Sequence, residues 1–385
     1  MKIAFFHDHI ITQNNNILYS TGGLNKNVIA RYLNLCDEFT LVTRNNNDRP
    51  VNNLSIIGSL DTLHYKAVPN LSSLRIKNYK EAYRILSTII NENDFLIIRL
   101  PSLIGFLAMY IAIKKQKKQI IELVGCPLDS YKNSGLKGKI VALPLYWLTK
   151  KFVEKAHSIL YVTQLFLQKR YPSKTPLQIG CSDVELEIIN EALEKRLERY
   201  KVSKNPIKIG MIGSLEAKYK GYDIVIKALS LLKKRRKLDF QLELVGGGDS
   251  SYVKQLLNKS LIKDQVTFIG TLSHPKGIFD WLDTIDIYLH PSRTEGLPRA
   301  LIEAMSRGCA CIGSNVGGIP ELVIPEYIHE KNDYNQLSRL IEKNFNVEEM
   351  KINSVKSFEI VSKYNKKSLD SSRFHFYMKS IKTDN

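Results

Sequence analysis

The sequence contains few cysteines and no long apolar run, and both shortages exclude classes of protein. Only five of its 385 residues are cysteine, and they are scattered along the chain. A disulfide framework needs paired cysteines, and the pair Cys309 and Cys311 has no second pair that would complete a zinc site. We therefore expect reduced thiols in a cytoplasmic protein. The longest apolar run, from Leu103 to Ile113, is shorter than the about 20 residues that span a bilayer.

Signals for secretion, metals and cofactors are also missing. The apolar run after Met1 is too short for a signal peptide. No D-x-D motif or other cluster of metal ligands stands out, and the glycine turn Gly246-Gly247-Gly248 lacks the spacing of a dinucleotide-binding loop. The sequence therefore predicts no cofactor and no essential divalent ion.

Negative charge is scarce, so the formal net charge is +18, although the 44% hydrophobic and 24% charged contents are those of an ordinary globular protein. Such an excess of basic residues indicates an anionic partner, which can be nucleic acid, an acidic membrane surface or a phosphorylated substrate. The basic and aromatic motifs of nucleic-acid-binding modules are absent, which makes that class the least favoured of the three.

Short apolar strands alternate with helices in both halves of the chain, which predicts doubly wound parallel sheets of the α/β class. Ligands of such sheets bind at the carboxyl ends of the strands. The pattern restarts after a linker at 201–206, so we place a domain boundary between residues 204 and 205. A polar loop is predicted from 7 to 25, and a helix from 184 to 200. The predicted strands are 2–6, 39–43, 95–98, 120–124 and 158–162, then 207–213, 242–245, 266–271, 285–289 and 309–313.

The most informative stretch is 292–308, a loop and helix between two of these strands. Pro298 fits a helix start and Gly308 a helix end. Glu303 lies beside the apolar stripe of this helix, and Glu295 lies in the loop just before the N-terminus of the helix. A loop rich in N–H groups that leads into a helix N-terminus binds anions, so the layout suits a phosphorylated ligand.

This stretch, together with Gly213-Ser214-Leu215-Glu216, Lys220-Gly221 and residues 313–318, resembles the donor-site signature of glycosyltransferase family 4, retaining enzymes of the GT-B fold. More narrowly, it is similar to bacterial capsule and exopolysaccharide transferases. The resemblance is specific from about Ile207 to Val323. It implies two Rossmann-like domains that face a cleft: 1–204 on the acceptor side, with a C-terminal helix at 365–385 packing back on it, and 205–364 for a nucleotide-sugar donor.

The resemblance also implies roles for individual residues. Glu303 would hold the ribose and Glu295 the hydroxyls of the donor sugar, while Lys220, with possible help from Lys218, would neutralise the leaving diphosphate. Glu295 and Lys220 are thus the expected catalytic pair. Ser214 stands where the wider family usually has an arginine. The other expected donor-binding residues are Gly22, Gly23, Ser214, Phe268, Gly270, Gly296, Leu297, Pro298 and Arg299.

The N-terminal half leaves two questions open. Glu122 and Asp129 lie at or just after the end of a strand, so they are placed at the cleft edge as possible acceptor residues, but a structural role for Glu122 is equally open. Many family members carry a sugar-contacting histidine in this region, whereas this chain has none between His64 and His157. No catalytic base is therefore identified in the N-terminal half.

The basic and apolar segment 131–152 also allows two interpretations. It is either an amphipathic segment that faces a membrane or a core helix with a solvated basic face.

The predicted function is a retaining glycosyltransferase that moves a sugar from a nucleoside-diphosphate sugar to a lipid-linked saccharide for a surface polysaccharide. We expect it in the cytoplasm, with a peripheral position on the inner face of the membrane. A GT-B sugar-nucleotide epimerase is the alternative within the same fold, and a basic nucleic-acid-binding protein is the alternative from another class. The spacing of Glu295 and Glu303 favours the transferase over the epimerase.

Overall fold

Hydrogen bonds between strands assemble the chain into two sheets, one in each of two units. The computed structural model describes residues 1–383 except 22, 49, 52–53, 62, 74, 133–134, 185, 202–205 and 237, and the side chains of 136 and 137. The first unit comprises Met1–Ser182 with Leu369–Asn385, and the second comprises Asp183–Ser368. No helix in the described part of the chain is long and apolar enough to cross a membrane.

The first unit is built on a nine-stranded mixed sheet. Its parallel part has the order β5-β3-β1-β6-β7-β8-β9. The strand β2 pairs in an antiparallel manner with the C-terminal end of β1, and β4 pairs in the same manner with β2. The central strands are apolar and buried over Ile3–Phe6 of β1 and Phe95–Ile98 of β6, as expected where helices cover both faces of a parallel sheet. The elements are β1 (Lys2–Asn14), β2 (Ile17–Ser20), α1 (Lys26–Leu33), β3 (Glu38–Asn45), β4 (Ser55–Ser59), β5 (His64–Val68), α2 (Ile76–Glu92), β6 (Phe95–Leu100), α3 (Leu103–Lys114), β7 (Gln119–Leu123), α4 (Pro127–Lys132), α5 (Gly135–Glu154), β8 (Ser158–Tyr161), α6 (Phe166–Arg170) and β9 (Gln178–Gly180).

The predicted polar loop at 7–25 was wrong over most of its length. β1 continues to Asn14, and β2 pairs with it in an antiparallel hairpin whose turn is Asn15-Asn16. Asn15 adopts a left-handed conformation (φ 51°), which asparagine tolerates in tight hairpin turns. The part of β1 after Phe6 carries mostly polar side chains, so a prediction based on apolar runs did not identify it as a strand.

The second unit is a six-stranded, fully parallel sheet with the order β12-β11-β10-β13-β14-β15. This is the Rossmann arrangement, in which the strand order reverses between β10 and β13. The loops that follow these two strands therefore border the crevice at the carboxyl edge of the sheet. The elements are α7 (Asn190–Arg199), β10 (Ile207–Ile212), α8 (Tyr222–Arg235), β11 (Phe240–Val245), α9 (Ser251–Asn258), β12 (Val266–Gly270), α10 (Lys276–Leu282), β13 (Ile287–His290), α11 (Arg299–Ser306), β14 (Ala310–Ser314), β15 (Ile328–His329), α12 (Tyr334–Lys343) and α13 (Val347–Val361).

The helix predicted at 184–200 begins later, because Leu186 forms a parallel bridge with Asn365 and the helix α7 starts at Asn190. The buried guanidinium of Arg196 donates hydrogen bonds to the carbonyl oxygens of Leu282 (2.8 Å) and Arg307 (3.1 Å). These bonds attach α7 to the second unit. The two units accordingly divide between residues 182 and 183, ahead of the division predicted at 204 and 205.

The last helix, α14 (Lys366–Lys382), contributes to the first unit from Leu369 onward. The carboxylate of Glu122 on β7 is 4% exposed and accepts hydrogen bonds from the hydroxyls of Tyr32 (2.9 Å) and Tyr377. A second contact joins His157 Nε2 and the carbonyl oxygen of Ser380 at 2.9 Å. Burial of a carboxylate is costly unless donors surround it, so these tyrosines make α14 part of the core of this unit.

We predict that Tyr377→Phe lowers the free energy of unfolding of the first unit by about 1–3 kcal/mol, since it leaves a buried carboxylate with one donor fewer. Denaturant unfolding measures the effect. Tyr110→Phe is the control, because that side chain is half exposed on α3. Equal stability of the two variants would contradict the assigned role of Tyr377.

Candidate functional site

The carboxylate of Glu295 is the centre of a polar cluster at the crevice of the second sheet. Its Oε1 atom lies 2.7 Å from Lys220 Nζ, 2.9 Å from His290 Nε2 and 2.8 Å from Ser292 Oγ. His290 ends β13, Ser292 and Glu295 follow in the next loop, and Lys220 lies in the turn before α8. The cluster thus joins the segments that follow β10 and β13, the two strands at which the sheet order reverses.

Burial alone would raise the pKa of Glu295, but the hydrogen bond from His290 and the charge of Lys220 more than offset it and lower this pKa to about 2. Glu295 is therefore a carboxylate, which only accepts hydrogen bonds, so His290 Nε2–H must donate. Burial lowers the pKa of His290 itself, although its contact with Glu295 acts in the opposite direction. In the described part of the chain no hydrogen bond uses Oε2 of Glu295, so this oxygen can accept hydrogen bonds from the hydroxyl groups of a ligand.

Two glycines allow the loops of the site to approach backbone to backbone. Gly221 has φ +81°, and a Cβ atom there would lie 2.3 Å from the carbonyl oxygen of Pro291. Gly317 has φ +60°, and a Cβ there would lie 2.2 Å from the carbonyl oxygen of Glu295. Any side chain at either position would displace the loop that carries Ser292 and Glu295.

Glu303 lies on α11, which begins at Arg299 with Pro298 at its cap. Glu303 Oε1 is 3.0 Å from Nε2 of the exposed His274. The fully buried Tyr288 has a raised pKa, first because of burial and then because of the charges of Glu303 and Glu295. Both carboxylates therefore lie within electrostatic reach of one side chain.

The loop after β10 is held by neighbouring glycine turns. Tyr222 donates its hydroxyl hydrogen to the carbonyl oxygen of Gly213 (2.9 Å), and Leu215 N–H donates to the carbonyl oxygen of Gly247 (2.9 Å). A Cβ on Gly248, at φ +93°, would lie 3.0 Å from Ser214 Oγ. Ser214 is thus placed at the crevice by main-chain packing.

The structure groups most of the donor-binding residues predicted from sequence at one edge of the second sheet. Lys220 and Glu295 are in direct contact, and the loop 296–298 contacts the loop after β14 through Gly318 N–H and the carbonyl oxygen of Gly296 (2.8 Å). Phe268 lies in β12, and Gly270 is the last residue of that strand. The N–H of Gly246, which follows the neighbouring strand β11, donates a hydrogen bond to the carbonyl oxygen of Gly270 (2.9 Å).

The other predicted residues lie in the first unit. Gly23 is near His9, with 3.7 Å between a built Cβ and the ring carbon Cε1, and Gly22 lies outside the described residues. Glu122 is enclosed by tyrosines, as described above. Asp129 forms a two-point ion pair with Arg170, at 2.9 and 3.3 Å.

Sequence reasoning missed His290 and Ser292, which hold Glu295 in place. The signal that could have found His290 is a single polar residue at the end of an otherwise apolar strand, just before the informative loop. It also missed the ion pair of Arg293 and Asp223 (2.9 and 2.7 Å), which fixes the same loop to the first turn of α8. Among the described residues no three His, Cys, Asp or Glu side chains are arranged to hold a metal ion.

Comparison with known proteins identifies similar chains. The family model described as glycosyl transferases group 1 matches residues 194–357. Protein CapJ of Staphylococcus aureus is 32% identical over 346 residues, which cover 89% of this chain and 85% of that protein. The capsular polysaccharide biosynthesis glycosyltransferase CapH, also of Staphylococcus aureus, is 33% identical over 95 residues, which cover 24% of this chain and 26% of that protein.

Solved structures share the fold of the whole chain. Anabaena HepE in complex with UDP aligns with a TM-score of 0.68 at 15% identity, covering 98% of this chain and 100% of that one. The same protein in complex with UDP-glucose aligns with a TM-score of 0.66. The predicted fold class, two Rossmann-like parallel-sheet domains of the GT-B type, is confirmed.

We predict that His290→Gln weakens the dependence of stability on pH. The pKa of His290 lies below its ordinary value of 6.5 in the folded chain, so the unfolded chain binds more protons below that pH. The resulting stability is fully present above pH 6.5 and is lost as pH falls toward the folded pKa.

Denaturant unfolding above and below pH 6.5 tests this prediction. The wild type should lose more stability on acidification than the variant, in which other groups with shifted pKa values, such as the buried His329, still contribute. His64→Gln on an exposed position is the control and should behave like the wild type. Identical slopes for wild type and His290→Gln would overturn the assignment of a neutral, buried His290.

Proposed function

The chain belongs to the glycosyl transferases group 1 family and is a glycosyltransferase, and we propose that it transfers a sugar, with retention, from a nucleoside-diphosphate sugar to a lipid-linked saccharide acceptor. The product would belong to a capsule-type surface polysaccharide. Support for this pathway comes from the similarity to CapJ over most of both chains and from the role that the name of CapH states. The proposal places the enzyme in the cytoplasm, peripheral on the inner face of the membrane, and includes no essential divalent ion.

The contact between Lys220 and Glu295 is the observation that carries the proposal. A lysine ammonium at the crevice can neutralise a leaving diphosphate, and its partner carboxylate, with Oε2 unused, can hold sugar hydroxyls on the adjoining group. Fixed donors aimed at the leaving group stabilise the charge that develops there, which is usually the largest catalytic contribution. The UDP and UDP-glucose complexes of HepE, which has the same fold, support a nucleotide sugar as the donor.

The contacts of Glu295 also support a specific mechanism for the proposed retention of the sugar's configuration. Oε1 of Glu295 already accepts three hydrogen bonds, and its pKa of about 2 makes this carboxylate a weak nucleophile. A role in positioning the donor therefore suits it better than a covalent one. We accordingly propose departure and attack on the same face of the sugar, with the α11 N-terminus and Lys220 holding the diphosphate.

We predict that one nucleotide among UDP, GDP, ADP, CMP and their common sugar conjugates raises the melting temperature, and that Glu303→Ala abolishes the rise. Oε1 of Glu303 contacts the exposed His274, and in the described part of the chain no hydrogen bond uses Oε2, which leaves it for a ribose diol. A ligand at 100 times its Kd should add about 2.7 kcal/mol of stability. UDP is tested first because HepE binds it.

Glu348→Ala, on an exposed position of α13, is the matched control and should keep the full shift. A shift that survives in Glu303→Ala would contradict the ribose role. Binding of arbitrary oligonucleotides in place of nucleotides would favour the nucleic-acid alternative, and a change of sugar configuration without an acceptor would favour the epimerase.

We predict that Lys220→Met reduces the affinity for UDP about tenfold or more and leaves the affinity for uridine nearly unchanged, because charge-assisted bonds to phosphate contribute about 1.5–3 kcal/mol. Isothermal titration measures both ligands. Lys227→Met is the control from an exposed position of α8, where Lys227 Nζ lies 5.9 Å from the ring centre of Tyr334. Equal losses for UDP and uridine would mean that Lys220 only supports the fold of the loop.

A further inference from the structure

The helix α5 exposes a row of large apolar side chains. Ile140 is 75% exposed, Leu143 is 55% exposed and Trp147 is 54% exposed, and Pro144 beside them is exposed as well. Positions three and four residues apart lie on one side of a helix, so these four residues form a single surface, the α5 apolar face. Contiguous exposed apolar surface on a soluble unit marks a site of interaction.

The opposite side of α5 already provides the contacts that hold it to the first unit. Ala142, Thr149 and Val153 are buried there. The ring of Phe152 packs against Phe106 of α3, with 6.1 Å between ring centres. The alternative of a core helix with a solvated basic face therefore explains this side alone. The α5 apolar face has no such explanation.

Lysines surround this face. Lys139, Lys150, Lys151 and Lys155 lie on or just after the helix, and its sequence contains one acidic residue, Glu154. Lys150 Nζ lies 5.3 Å from the ring centre of Trp147 and 5.2 Å from that of Tyr146, so its ammonium is held beside the apolar surface. Lysine is depleted in protein–protein interfaces, whereas a basic border around Trp and Leu matches acidic lipid headgroups. The charge complementarity thus favours a bilayer over a protein partner.

We propose that the α5 apolar face docks on an anionic lipid bilayer. Trp147, Leu143 and Ile140 enter the boundary between headgroups and acyl chains, and the lysines lie among the headgroup phosphates. The helix lies on the membrane, since no helix in the described part of the chain could cross it. The inference rests on the proposed function in one respect, namely that the enzyme would bind its lipid-linked acceptor at the membrane surface.

The chain carries its own reporter for this docking, because it has only two tryptophans. Trp281 is 7% exposed and donates its indole hydrogen to Glu243 (2.8 Å), so its environment does not depend on a membrane. Adding phosphatidylglycerol–phosphatidylcholine vesicles to the full chain should shift the fluorescence of Trp147 to the blue, and salt should reverse the shift. Pure phosphatidylcholine vesicles should give little shift. In Trp147→Phe the shift should vanish while co-sedimentation with anionic vesicles persists.

Paired variants separate this surface from general charge attraction. Leu143→Ser with Trp147→Ser should lower vesicle partitioning about tenfold or more, whereas Ile352→Ser on an exposed position of α13 should not. The double variant Lys150→Gln with Lys151→Gln should bind anionic vesicles more weakly than the wild type. The control double variant Lys233→Gln with Lys234→Gln, which removes an adjacent lysine pair of α8, should have a smaller effect.

The proposal is overturned if no vesicle shifts the fluorescence, if both lysine pairs matter equally, or if the shift follows protein concentration without vesicles, which would indicate self-association. Thermal stabilisation by UDP is measured in parallel on the same variants. Its retention with loss of vesicle binding supports docking by this face. If none of the nucleotides named above raises the melting temperature of the wild type while vesicle binding is intact, the result contradicts the proposed function and not the docking.

Discussion

A buried carboxylate with a fixed set of donors is the interaction on which the second unit's site depends. Glu295 remains charged in a desolvated position only because His290, Ser292 and Lys220 meet on one of its oxygens. Lys220 comes from the segment after β10, whereas His290 and Ser292 come from the end of β13 and the loop after it, so the ionised state of one side chain requires both segments to be in place. The same arrangement leaves the other oxygen and a lysine ammonium at the surface where a ligand would bind.

Main-chain packing makes this arrangement rigid. Gly221 and Gly317 bring their loops into contact with carbonyl oxygens at distances that no side chain would permit. The pair of Arg293 and Asp223 fixes the intervening loop from its other side. The proposed catalytic role of Glu295 and Lys220 requires groups that are held closely in place, and the glycines and the ion pair supply such a restraint in the free chain.

Much of the second unit could be predicted from sequence, because its strands are short apolar runs between turn residues. The strand predicted at 207–213 is observed at Ile207–Ile212, and that predicted at 266–271 at Val266–Gly270. The pairing of Lys220 with Glu295 could be anticipated only through the family resemblance, since 75 residues separate the two.

What could not be predicted depends on contacts between distant parts of the chain. The strand β1 beyond Phe6 is polar and is recognisable only once β2 pairs with it. Arg196 looks like a surface residue of a charged helix, but its guanidinium is buried against carbonyl groups that lie far along the chain. The division between the units follows from such contacts, and composition near residue 200 does not reveal it.

The placement of α14 has a consequence for how the chain is made. The second unit is continuous in sequence, whereas the first unit includes Leu369–Asn385. On the ribosome, the N-terminal sheet emerges first, yet Glu122 has to wait for Tyr377, which is added 255 residues later. The second unit can therefore complete its core before the first unit does, which is the opposite of the usual order in which domains fold from the N-terminus during synthesis.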